Sequence, residues 1–192
     1  MNTQTAIVPG SLSQVAQRNS QSLAETFCNC DVIIIVDVSG SMHAQDSRGG
    51  QSRYDVACDE LARLQSTMPG KIGVIAFSDM TQFCPGGLPT YMGGGTNLTG
   101  ALKFAKIADV TGMRFIVISD GEPDDRQGAL AAARTYQCKI DVIYVGPEGD
   151  MASGRKFLEQ LAGVKNGQFV NAKCAMQLAE KINTLLLEGR NV

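Results

Sequence analysis

Oxygen-bearing side chains gather at three places in this chain. VDVSGSM (36–42) sets Asp37 ahead of Ser39 and Ser41, GGGTN (93–97) carries Thr96, and SDGEPDD (119–125) carries Asp120. Both aspartates follow runs rich in β-branched residues, DVIIIV (31–36) and RFIVIS (114–119). An aspartate at the end of a buried strand is a half-desolvated anion, which costs on the order of several kcal/mol even after relaxation. No lysine or arginine lies between residues 31 and 47, and Asp120 would bring a second negative charge nearby. A divalent cation would neutralise both. Ser39 and Ser41, at i and i+2, can face one side together, and neutral hydroxyls suit a hard ion such as Mg²⁺ or Mn²⁺. With Thr96 the set becomes three hydroxyls and two carboxylates, which water completes to an octahedron, and the ion keeps an affinity for one anionic oxygen from a partner.

These residues need a frame that delivers them to one edge. DVIIIV, KIGVIAF (71–77), RFIVIS and KIDVIYV (139–145) are near-continuous apolar runs, the pattern of strands buried on both faces. Helix-period segments lie between them. RYDVACDELARLQSTM (53–68) places Tyr54, Ala57, Cys58, Leu61, Leu64 and Met68 on one stripe, and TNLTGALKFAKIA, DDRQGALAAARTY, GRKFLEQLA and the closing AMQLAEKINTLLLEG repeat the pattern. This alternation predicts an α/β fold with a doubly wound, mostly parallel central sheet and helices on both faces. TQFC (81–84) reads as one antiparallel edge strand and GQFVN (167–171) as a further short strand. In such a sheet ligands sit outside the carboxyl ends of the strands. Asp37, Ser78, Asp79, Asp120 and Gly146 all fall there. The loop GGLPTYMGGGT (86–96), with its five glycines, suits a segment that brings backbone close to an ion and its ligand.

The ordered set, D-x-S-x-S after a hydrophobic strand, Thr96 in GGGTN and Asp120 in SDGEPDD, resembles the von Willebrand factor A (VWA) domain and its metal-ion-dependent adhesion site (MIDAS), over roughly residues 30–188. The resemblance implies a Rossmann-like fold in which Asp37, Ser39, Ser41, Thr96 and Asp120 are the five metal-site positions, Ser39 and Ser41 binding the ion directly. It also implies that the ion's open position holds a Glu or Asp from a protein ligand. The compact form, with SGSM and SRYDVA, is more similar to stand-alone soluble members from bacteria and phages, which work beside ATPases, kinases or phosphatases. The partner-binding rim is then expected at Met42, His43, Gly94, Gly95, Asn97 and Glu122. Residues 1–29 are read as an N-terminal segment, either a helix or a flexible arm, 30–188 as the VWA domain and 189–192 as a tail.

Composition narrows the function further. At 192 residues and 44% hydrophobic content the chain has the size of one substantial domain. A net charge of −2 leaves no surplus of Lys and Arg for phosphates, which sets nucleic acid and membrane partners aside. MNTQTAIVPGSLSQ has neither a basic start nor an apolar h-region, and the expected location is the cytoplasm. The six cysteines read as free thiols, and Cys28 and Cys30 lack the two-residue spacer of zinc sites. In GPEGDMASGRKF (146–157), Arg155 and Lys156 stand where a phosphate loop requires Lys and Ser or Thr. Asp124 and Asp125 are expected to open a helix, and Asp79 to be solvated. The expected function is a divalent-cation-dependent protein interaction module rather than an enzyme. Two alternatives are a phosphatase- or esterase-type hydrolase, using cation-activated water or Ser39 or Ser41 with His43 as base, and an assembly subunit whose ion is purely structural.

Overall fold

The structure, a computed structural model, describes residues 7–147 and 153–172 together with Glu180, Ile182 and Thr184. Strands β1 (Val32–Asp37), β2 (Ile72–Phe77), β3 (Thr81–Phe83), β4 (Arg114–Ser119), β5 (Ile140–Tyr144) and β6 (Phe169–Asn171) form one sheet in the order β3-β2-β1-β4-β5-β6. All neighbours pair parallel except β3, which runs antiparallel to β2 at one edge. Helices α1 (Leu12–Asn19), α2 (Leu23–Cys28), α3 (Arg53–Thr67), α4 (Leu98–Ala105), α5 (Arg126–Arg134) and α6 (Ser153–Gly163) surround it.

The alternation of side chains along a strand explains why the apolar runs are unbroken. Val32, Ile34 and Val36 of β1 enter one core with Val56, Ala57, Leu61 and Leu64 of α3. Ile33 and Ile35 enter the opposite core with Leu98, Ala101 and Leu102 of α4, Ala129 and Ala133 of α5, and Phe157 and Leu161 of α6. Each fully buried Val, Ile, Leu or Phe among these contributes roughly 1.5–3 kcal/mol. The helices start where their caps dictate. Ser52 Oγ accepts from Asp55 N at 3.0 Å, Asn97 Oδ1 from Gly100 N at 2.9 Å and Asp125 Oδ1 from Gly128 N at 2.8 Å. Each cap stabilises its helix by about 1 kcal/mol, and all three stand at the edge where the parallel strands end.

The buried stripe of α3 differs from the expected one. Tyr54, Cys58 and Met68 are only half-buried, whereas Arg53, Glu60 and Gln65 turn inward. Gln65 does so because its Nε2 donates to Leu61 O at 3.1 Å and Gly87 O at 2.7 Å.

The described residues of the N-terminal segment form α1 and α2. Leu12 and Ala16 are buried, Val8 N donates to Gly86 O at 3.0 Å, and Gly70 N donates to Gly10 O at 2.9 Å. Gly10, at φ +81°, passes so close to α3 that a Cβ would stand 1.9 Å from the Gln65 carbonyl oxygen, so no other residue fits. Glu180, Ile182 and Thr184 are helical and Ile182 is buried against the α3-side core. The rest of the expected closing helix, with Cys174 and residues 148–152, lies outside the described residues. Among the described residues no helix is long and apolar enough to cross a membrane.

Candidate metal and partner site

The chain leaves β1 towards β2 on one side and later crosses to β4 on the other, so the winding reverses between β1 and β4. In open α/β sheets such a reversal is where a crevice forms, at the carboxyl ends of the two strands. Asp37 is the last residue of β1, and Ser119, the last of β4, is one register step beyond the Val36–Ile118 pair. Ser119 Oγ donates to Asp37 Oδ2 at 2.6 Å, and Ser39 N donates to Asp37 Oδ1 at 2.9 Å. The backbone then enters a 3-10 turn, Gly40–His43, which brings Ser39 Oγ and Ser41 Oγ to 3.3 Å. Ser41 Oγ donates to Asp120 Oδ1 at 2.7 Å.

Four of the five expected site residues therefore join in one continuous polar chain. Thr96 is held on the same rim by its backbone. Gly40 N donates to Gly94 O at 3.1 Å, Gly93 N to Val38 O at 3.0 Å, and Thr96 N to Asp124 Oδ2 at 2.9 Å. Adjacent oxygens around an octahedral ion at about 2.1 Å lie roughly 3 Å apart, close to the Ser39–Ser41 separation. All five side chains offer oxygen only, as a hard dication requires.

Burial dominates the electrostatics. Asp37 is fully buried, which pushes its carboxyl up to about 6; the hydrogen bonds from Ser119 and Ser39 pull the other way, and Asp120 adds to the rise. Asp120 does not lack a cation, contrary to the expectation from residues 31–47. Arg53, the first residue of α3, is 7% exposed and donates from NH1 to Asp120 Oδ2 at 2.6 Å. Its Nε donates to Asp46 Oδ1 at 2.8 Å and its NH2 pairs with Asp46 Oδ2. Burial opposes the charge on Arg53, and its two carboxylate partners more than restore it.

The expected rim is partly corrected. Met42 is 0% exposed and belongs to the α3-side core, because the 3-10 turn points this apolar side chain inward beside Val38 and Val56. Asn97 is exposed, but its side chain caps α4. Glu122 is half-buried and pairs with Arg126 at 2.6 Å; Ser153 and Arg126 hold its carboxyl below the usual range. Gly94 and His43 are exposed, and Gly95 is half-buried. Asp79 is a loop clasp rather than a merely solvated charge, its Oδ1 accepting from Gly95 N at 3.1 Å. A Cβ on Gly94 would stand 2.0 Å from Asp79 Oδ2, and one on Gly95 2.7 Å from both Asp79 and Asp124, which explains the glycine run. Asp125 caps α5 as expected, whereas Asp124 serves the Thr96 loop. Tyr91, 37% exposed and within 5.4 Å of the rings of His43 and Tyr54, is a rim residue the sequence reading missed.

The sequence matches no protein-family profile and no curated protein. Solved structures do resemble it. An aerotolerance-related membrane protein from Bacteroides fragilis superposes with a TM-score of 0.66 at 20% identity, over 83% of this chain and 99% of that one. The von Willebrand factor type A structure from Catenulispora acidiphila gives 0.57 at 17% identity, over 80% and 41% of the two chains. The chain has the VWA fold. A manganese-loaded TRAP protein from Plasmodium vivax shares it, with a TM-score of 0.57 at 15% identity over 82% of this chain and 72% of that one. In this VWA fold the polar chain from Asp37 to Asp120 occupies the reversal point of the sheet.

Proposed function

We propose that this VWA-fold chain is a divalent-cation-dependent protein interaction module. Asp37, Ser39, Ser41, Thr96 and Asp120 hold Mg²⁺ or Mn²⁺, and the ion accepts an Asp or Glu side chain of a partner protein. The observation that carries this reading is the hydrogen-bonded chain Asp37–Ser39–Ser41–Asp120 at the ends of β1 and β4, its first link made by the Ser39 amide and the others by hydroxyls. The manganese of the Plasmodium vivax protein supports it at the level of the shared fold. The bound ion would supply Lewis acidity towards a carboxylate oxygen. Asp37 and Asp120 supply charge, the serines orient, and the Gly93–Thr96 loop frames the approach.

The hydrolase alternative loses ground on one contact. The Ser41 hydroxyl donates to Asp120 and not to an imidazole, while the His43 ring packs beside Tyr91, with centroids 5.4 Å apart. A serine nucleophile needs its base within hydrogen-bond reach. The five described cysteines are free, which fits a reducing compartment such as the cytoplasm of a bacterium or of a phage-infected cell. An ATPase, kinase or phosphatase presenting an acidic loop is the kind of partner proposed.

The test pairs affinity capture with calorimetric Mn²⁺ titration on wild type and Asp37→Ala. Wild type should bind Mn²⁺ and retain a partner that EDTA releases, and Asp37→Ala should do neither while remaining folded. Equal Mn²⁺ binding by the two proteins, or capture indifferent to EDTA, would refute the reading.

A further inference from the structure

We propose that Arg53 sets the charge of this site, so that the ion-loaded form retains one positive charge for an incoming carboxylate. The inference rests on the ion site proposed above and adds the residue that decides what the loaded site selects. Arg53 is not a chance surface cation. It is 7% exposed, its backbone N donates to Ala44 O at 3.2 Å, and its helix is capped by Ser52. The guanidinium faces Asp120 with NH1 and Asp46 with Nε and NH2, which fixes the planar fork in one orientation.

Asp37, Asp120 and Arg53 are buried, two negative groups against one positive. Asp46 also pairs with Arg53, but its side chain is 40% exposed against 0% for Asp120, so water screens its charge the more. The buried set therefore carries one net negative charge, and a dication turns it into one net positive charge. A single visiting carboxylate restores neutrality. Without Arg53 the two aspartates alone would cancel the dication, and a visiting acid would bring an unbalanced charge into a buried crevice. Arg53 thus trades affinity for the ion against affinity for the anion. It also occupies Asp120 Oδ2 and leaves Oδ1 to Ser41, which keeps the rim formed before any ion arrives.

The experiment uses the full chain with Mn²⁺ and acetate as probes, in wild type, Arg53→Met, Arg53→Gln and Arg53→Lys. Removing a unit charge within several ångströms of a dication should tighten Mn²⁺ binding by about tenfold or more in the Met and Gln variants. Acetate affinity for the Mn²⁺-loaded protein should fall by a similar factor in both. Lys keeps the charge and loses the fork, so its Mn²⁺ affinity should stay within about threefold of wild type. The neutral Gln variant carries the same expectation should the Met variant fail to fold. Weaker or unchanged Mn²⁺ binding in the neutral variants would overturn the proposal and reduce Arg53 to a brace for Asp120. If wild type and Asp37→Ala bind Mn²⁺ equally, the ion site itself is wrong, an outcome separable from the behaviour of Arg53.

Discussion

Asp37→Asn should stabilise the ion-free protein while abolishing its response to metal. In the ion-free fold burial lifts the Asp37 carboxyl to about 6, against an unperturbed 3.8. A carboxyl raised on folding gives stability that is complete below its unfolded value and lost as pH rises through its folded value. The window is therefore from about pH 4 to pH 6. A difference of roughly two units corresponds to about 3 kcal/mol at neutral pH. Asn has no charge to desolvate. Its Oδ1 can keep accepting from Ser39 N, and the Ser119 hydroxyl can turn to accept from the amide. In EDTA at pH 7, urea unfolding should show Asp37→Asn more stable than wild type by about 2–3 kcal/mol, a gap that closes as pH falls to 4. On adding Mn²⁺ at pH 7 the wild type should gain stability and the variant should not. A variant no more stable than wild type in EDTA at pH 7, or a gap independent of pH, would refute this reasoning.

Asp109 gives the opposite sign. Burial pushes its carboxyl up, but Lys106 and the amides of Gln137 (2.7 Å) and Cys138 (3.0 Å) outweigh that and hold it at about 2. Its stabilisation is present above about pH 4 and lost as pH falls towards 2, so Asp109→Asn should cost about 2 kcal/mol in urea unfolding at pH 7 and little at pH 2. Gly94→Ala introduces a Cβ at φ +76° and 2.0 Å from Asp79 Oδ2. It should cost about 1–2 kcal/mol, weaken Mn²⁺ binding and make residues 86–96 more sensitive to limited proteolysis.

The sheet could be read from the sequence because a strand buried on both faces writes itself as an unbroken apolar run, as in Val32 to Val36. The donors could be read because Asp37, Ser39 and Ser41 are close along the chain. What stayed hidden depends on partners far apart in sequence. Ser119 is 82 residues from Asp37, and Arg53 is 67 from Asp120. A serine just before the strand-end aspartate was the available signal for the first; the second follows only from knowing where α3 docks. Met42 misled because an apolar residue in a serine-rich loop reads as exposed, whereas the local turn carries it into the core. Asp79 misled because its partner is a backbone amide, and any residue but proline supplies one there.

Helix α3 is a 15-residue rod about 22 Å long. Its first residue grips the carboxylate crevice, and its last turns are clamped between Gly10 and Gly87. Tilting that rod would disturb both ends at once, so the N-terminal segment and the oxygen cluster are coupled by a single stiff beam.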